Sequence, residues 1–165
     1  MFAPKNVCPV PFDQQPLNEY LELKKSCFFA WSVLSFNKYI NTVFSIFILF
    51  LIFVIPIISI IFSNKISLFY VLFYSVLSVN VIFILLFIRL YLGWSYIVKR
   101  LLSATVFYEE SGWYDGQIWI KTADILTKDR LIGLYEINPY IKRIKYSLLI
   151  CILLLGLELI LLYLI

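Results

Sequence analysis

The sequence predicts an all-α membrane protein with three transmembrane helices, an N-terminal interfacial helix, and a small water-facing loop holding a β-hairpin and a short helix. Three observations lead there. Of 165 residues, 62% are hydrophobic and only 15% charged, with a mean hydropathy of +0.93. A water-soluble chain of this length could not hide so much apolar surface. Two long stretches carry no charge at all, and the basic residues gather in two segments flanking them.

The N-terminal segment, residues 1–38, is mixed and polar, so it predicts no cleavable signal peptide. Pro16 suits the first position of a helix. Leu17, Tyr20, Leu21, Cys27, Phe28 and Trp31 then fall near one helical face, while Lys24 and Lys25 can snorkel to water. The pattern predicts an interfacial helix lying on the membrane.

Residues 39–98 predict a transmembrane hairpin. Tyr39 to Asn64 and Ile66 to Ile88 are free of charge. Each is longer than the roughly 20 residues that carry a helix across about 30 Å of hydrocarbon. A lone lipid-facing strand would leave its backbone unpaired, so both are helices. The short Ser63-Asn64-Lys65 link makes them antiparallel, and Pro56 inside the first predicts a kink.

Residues 99–145 form the water-facing loop. The stretch TVFYEESGWYDGQIWIK, 105–121, is rich in β-branched and aromatic residues around Asp115-Gly116, a strong two-residue hairpin signal. Short antiparallel strands are expected within Val106–Tyr114 and Gln117–Lys121, with Gly112 permitting a bulge. A helix from about Ala123 to Glu136 follows, with Thr122 as its N-cap and Asp124 and Lys128 as a weak i,i+4 pair. Asn138-Pro139 is expected to end it, before a basic stalk (Lys142, Arg143, Lys145) enters the third span, residues 146–165.

Orientation follows from charge. With the first two spans paired, twelve of the fourteen basic residues share one side, while Lys65 faces the other. The positive-inside rule places both soluble segments in the cytoplasm or the stroma of a plastid. Usage skewed to Ile, Phe, Tyr, Asn and Lys, with four Ala and four Arg, is the mark of an AT-rich genome. An organelle-encoded gene fits that composition, as does an AT-rich bacterium.

The chemistry on offer is narrow. With no histidine, the commonest general base, zinc ligand and haem ligand are all missing. Cys8, Cys27 and Cys151 have no metal or redox spacing and read as reduced structural thiols. Glu109, Glu110 and Asp115 form the tightest acidic cluster, but strand alternation sends Glu109 and Glu110 to opposite faces. Catalysis is therefore not expected. Trp113, Tyr114 and Trp119, with a charged rim that includes Glu109, Glu110, Asp115, Asp129 and Arg130, suit either an anchor on the membrane or a protein-binding patch. Glu158 is the polar residue inside the third span, where a charge costs roughly 2.5–3.5 kcal/mol. Lys65, Ser59, Tyr70 and Tyr74 lie nearest its depth.

Three segments, FDQQPLNEYLELKKS, YEESGWYDGQIWIK and LTKDRLIGLYEINPYIKRI, resemble the conserved hypothetical chloroplast reading frame thirty-six family of plastid and cyanobacterial membrane proteins. The resemblance covers about 12–36 and 104–144, with the segments in matching order. It implies a plastid or cyanobacterial thylakoid membrane, with the N-terminus and main loop stromal and the C-terminus lumenal. It also implies a part in photosynthetic-complex biogenesis and iron-deficiency responses, and it carries over no catalytic residue. The combined expectation is a non-catalytic accessory or assembly protein that contacts the lipid bilayer and binds photosynthetic-complex subunits through its stromal loop and helix faces, without nucleic acid. No cofactor is expected under that reading. The alternative is an iron- or tetrapyrrole-handling protein that uses Glu158 or the acidic hairpin as ligand.

Overall fold

The structure, a computed structural model, describes residues 8–62, 67–109 and 116–164. It is mostly helical, with one two-stranded sheet. Two compact units emerge, the first from 1–30 and 93–141, the second from 31–92 and 142–165.

Three helical stretches are long and apolar enough to cross a membrane: Phe36–Ile61, Leu68–Leu102 and the apolar part of Ala123–Leu164. We number the helices α1 (Pro16–Lys25), α2 (Cys27–Ala30), α3 (Phe36–Ile61), α4 (Leu68–Leu102), α5 (Ala123–Leu131) and α6 (Asn138–Leu164). The strands are β1 (Thr105–Tyr108) and β2 (Gln117–Ile120). The helix α3 passes through Pro56, whose missing N–H removes one backbone bond. The link Ser63-Asn64-Lys65 lies outside the described residues, as does Ile165.

The first unit differs from expectation at its N-terminus. Pro16 does open α1, but the helix stops at Ser26, whose φ of −65° and ψ of 137° are extended. The expected single apolar face is therefore divided. Tyr20 and Phe29 turn into the core, while Leu17, Leu21, Cys27 and Phe28 stay exposed. Around Trp94, which is fully buried, Tyr20, Phe29 and Tyr140 place their rings 6.0–6.1 Å away in tilted or edge-on contacts. Gly93 makes room for this packing, because a Cβ there would stand 2.5 Å from the Phe29 ring.

The hairpin register also corrects the sequence reading. Tyr108 pairs with Gln117 and Phe107 with Ile118, which leaves eight residues, 109–116, between the strands. The expected turn signal Asp115-Gly116 falls in this interval, with Asp115 outside the described residues. The buried face sets the register: Val106 and Tyr108 point inward onto Val10, with Cys8 and Trp119 packed alongside. Tyr108 also donates to Gln117 Oε1 at 2.8 Å.

Asn138-Pro139 does not end a helix, contrary to expectation. Between α5 and α6 the chain keeps coiling as a π-helical turn, Ile132–Ile137. The Asn138 N–H reaches back five residues to Gly133 O. This wider turn lets the helix proceed where a proline ring would otherwise crowd the carbonyl four residues earlier. Thr122 sits at the N-cap of α5, but its hydroxyl makes no capping bond.

The second unit is held by aromatic contacts. Trp31 stacks on Tyr39 at 5.5 Å and leans on Phe87. Phe83 meets Phe47, Phe50 and Phe87 edge-on. Val79, Phe83 and Phe87 are buried. Arg143 lies over the Phe36 and Tyr39 rings and donates to Leu34 O at 2.7 Å.

Candidate functional site

In the first unit the polar residues of the three quoted segments meet one another. The helix α4 ends with carbonyls that lack helical partners. Lys121, beyond β2, fills that need: its Nζ donates to Arg100 O at 3.0 Å and Leu101 O at 3.1 Å. The same ammonium pairs with Asp129 Oδ2 at 2.7 Å. Three donors meet three acceptors, and the side chains are 0% and 5% exposed. A cation at a helix C-terminus also complements the helix dipole.

Arg100 performs a second joining role. Its guanidinium bonds the Glu19 carboxylate, the Tyr96 hydroxyl, Gln14 O and Phe107 O. Burial of the Glu19 carboxyl outweighs the Arg100 charge and lifts its pKa above the ordinary carboxylate value, with Glu22 adding to the rise. Tyr20 donates to Glu136 Oε2 at 2.7 Å and receives Lys24 Nζ at 3.0 Å. Burial, then the Glu136 bond, pushes the Tyr20 phenol well above its usual range.

Gln14 closes the strand edge. Its side-chain amide donates to Glu109 O at 3.0 Å and accepts from the Glu109 N–H at 2.9 Å. That two-point bond reproduces what a neighbouring strand would supply to the end of β1.

These positions sort the residues singled out in the sequence. Glu109 is exposed just past β1, held by its backbone. Glu110, Trp113, Tyr114 and Asp115 lie outside the described residues, as does Gly112. Trp119 is half-buried against the Val10–Val106–Tyr108 cluster, so it serves the hairpin core in place of an open patch. Asp129 is buried and paired with Lys121. The expected Asp124–Lys128 pair does not form among the described residues, and Asp124 O instead accepts from Thr127. Arg130 is exposed. Sequence reasoning passed over an exposed apolar patch among the described hairpin residues: Phe107, Ile118 and Ile120 are 67%, 59% and 71% exposed on its outer face. Strict alternation through 105–108 and 117–120 was the available signal.

In the second unit Glu158 is bound by Asn80, whose Nδ2 donates to Oε2 at 3.1 Å. The residues expected near its depth are engaged elsewhere or outside view. Ser59 donates to Pro56 O, Tyr74 stacks on Phe62, and Tyr70 meets Phe69, while Lys65 is not among the described residues. Asn80 is the one amide in the second uncharged stretch, which was the missed signal. Nearer the start of α6, the Tyr39 and Ser147 hydroxyls share a 2.8 Å hydrogen bond.

Comparison with known proteins gives this arrangement its kin. Residues 8–150 match the CGLD27-like family, described as conserved in the green lineage and diatoms 27. The chain is 51% identical over 145 residues to the ycf36 protein of Porphyra purpurea, covering 87% of each. It is 44% identical to the ycf36 protein of Cyanophora paradoxa over 152 residues, 90% of this chain and 94% of that one. It is also 36% identical over 147 residues to the Arabidopsis thaliana protein conserved in the green lineage and diatoms 27, chloroplastic, covering 88% of this chain but 45% of that protein. No solved structure matches. The residues that lock together in the first unit all fall within the matched span, and the chain belongs to the ycf36, or CGLD27-like, family.

Proposed function

We propose that this protein is a non-catalytic accessory or assembly factor of the photosynthetic (thylakoid) membrane, which binds subunits of larger complexes through its stromal loop. The observation that carries this reading is the outer face of the hairpin. Phe107, Ile118 and Ile120 stand exposed together, while the inward residues Val106 and Tyr108 are buried. A two-stranded sheet with apolar residues on both faces is costly in water unless its outer face is covered. Four charged side chains of the same unit, Lys121, Asp129, Arg100 and Glu19, are tied into its own fold. That favours recognition by apolar contact over chemistry on a substrate. A chloroplastic relative supports the compartment, and the charge distribution supports a stromal loop.

Affinity purification of the tagged full chain from solubilised thylakoids tests the proposal. Recovery of discrete photosynthetic subunits, lost in a Phe107→Ser/Ile118→Ser double variant that still inserts into the membrane, is the expected result. Stoichiometric iron or tetrapyrrole, lost on Glu158→Gln, would overturn it in favour of cofactor handling.

A further inference from the structure

The second unit contains a cavity of about 410 Å³ between α3, α4 and α6. Its size falls within the range of small-molecule sites, roughly 300–1,000 Å³. Four phenylalanines, Phe44, Phe47, Phe83 and Phe87, furnish most of its aromatic wall, and the Asn80–Glu158 pair stands among them. Ile40, Phe44 and Leu154 on the rim are exposed, so the cavity opens sideways on the surface where lipid would lie.

Two features separate this cavity from a packing gap. Asn80 is only 4% exposed, and an amide buried at this depth is costly unless its hydrogen bonds are met. An ionisable residue within a span is by default a marker of a functional site. The Asn80–Glu158 bond engages one amide hydrogen and one carboxyl oxygen, while the two groups together carry further donor and acceptor positions.

We propose that this cavity binds a lipid-soluble phenol of the quinol class, carrying an apolar tail, from the bilayer. The ring's hydroxyl donates to a Glu158 oxygen and accepts the second Asn80 N–H. The ring itself packs edge-on or offset against Phe47, Phe83 and Phe87, the geometry aromatic groups prefer. The apolar tail leaves past Ile40 and Leu154 into lipid. A hydroxyl head satisfies both members of the pair at once, which a pure hydrocarbon cannot do. The Tyr39 and Ser147 hydroxyls bond to each other and leave the Asn80–Glu158 pair as the recognition element. This site is independent of the hairpin surface and stands or falls separately from the accessory role.

The test is saturation binding of radiolabelled benzoquinol carrying a decyl chain to the full chain in lipid nanodiscs, with empty discs subtracted. One saturable site per chain is expected. Affinity should fall at least tenfold in Asn80→Leu and in Glu158→Leu, and Leu154→Trp, which obstructs the rim, should abolish binding. Labelled decylbenzene, which lacks the hydroxyls, should bind the native chain at least tenfold more weakly. That last comparison needs no variant, so a folding defect in Asn80→Leu leaves the idea testable. Equal affinity for decylbenzene, full affinity in a folded Asn80→Leu protein, or no saturable binding to the native chain would each overturn the proposal.

Discussion

The two units use opposite means to hold together, and the contrast locates what each is for. The first unit relies on polar joints: Lys121 with Asp129 and the end of α4, Arg100 with Glu19, Gln14 with the edge of β1, and Tyr20 with Glu136. The second relies on aromatic stacking and, among the described residues, on hydrogen bonds such as Tyr39 with Ser147, Asn80 with Glu158 and Arg143 with Leu34 O. Where water competes for every donor, a small unit gains definition from buried polar networks. Where lipid is as apolar as the side chains, packing and a few interhelical hydrogen bonds carry association. The lesson is that the buried charges of the first unit, Lys121 and Asp129 above all, are structural.

The largest expected break in this contrast is at Lys121. Lys121→Met strands the Asp129 carboxylate in a buried setting, and losing one member of such a pair costs about 3–5 kcal/mol. Thermal unfolding in detergent, followed by the first unit's tryptophan fluorescence, should show a large fall, with a smaller one for the paired Lys121→Met/Asp129→Leu variant. Next is Gly93→Val, which drives a side chain into the Phe29 ring and should cost about 1–3 kcal/mol. Adding Phe29→Ala should return part of the loss, a recovery read in the same melts.

Gln14→Ala removes two hydrogen bonds to the Glu109 backbone and should cost about 1–2 kcal/mol. Proteolysis of the hairpin at low protease concentration would report it as faster cleavage. The smallest effect is a pH dependence at Tyr20. Its phenol holds its proton more tightly folded than unfolded, so its contribution is intact below the unfolded value of 10.0 and is lost as pH rises further. Alkaline melts should therefore steepen above about pH 10 in the native chain and less so in Tyr20→Phe.

Most of the fold was legible because hydrophobic length is a coarse signal that survives local detail. Two runs of more than twenty uncharged residues, and a third apolar run interrupted by Glu158, fix three apolar helices whatever their contacts. The hairpin was also visible, since β-branched and aromatic residues are dense on both sides of 109–116. Its register was not, because Asp115-Gly116 is a local turn signal while the pairing is decided by which residues meet Val10, far off in sequence. Pro139 misled for a similar reason. Proline predicts an end when only α-helical geometry is considered, and the π-turn at 132–137 supplies another way through.

The roles of individual charges were the least legible. Asp129 and Lys121 look like ordinary surface residues eight positions apart, and only folding shows that both point inward. Asn80 and Glu158 could have been paired by noticing a lone amide and a lone carboxyl in facing spans. The outer hairpin residues Phe107, Ile118 and Ile120 were hidden by the brighter tryptophans beside them.

Site-specific photo-crosslinking from the outer face tests the central claim most directly. A photoreactive residue replacing Ile118 in the full chain, in its own membrane, should label one discrete protein subunit. The same group replacing exposed Lys128 should label it weakly or not at all. Labelling of lipid alone from position 118, or equal labelling from both positions, would contradict the account.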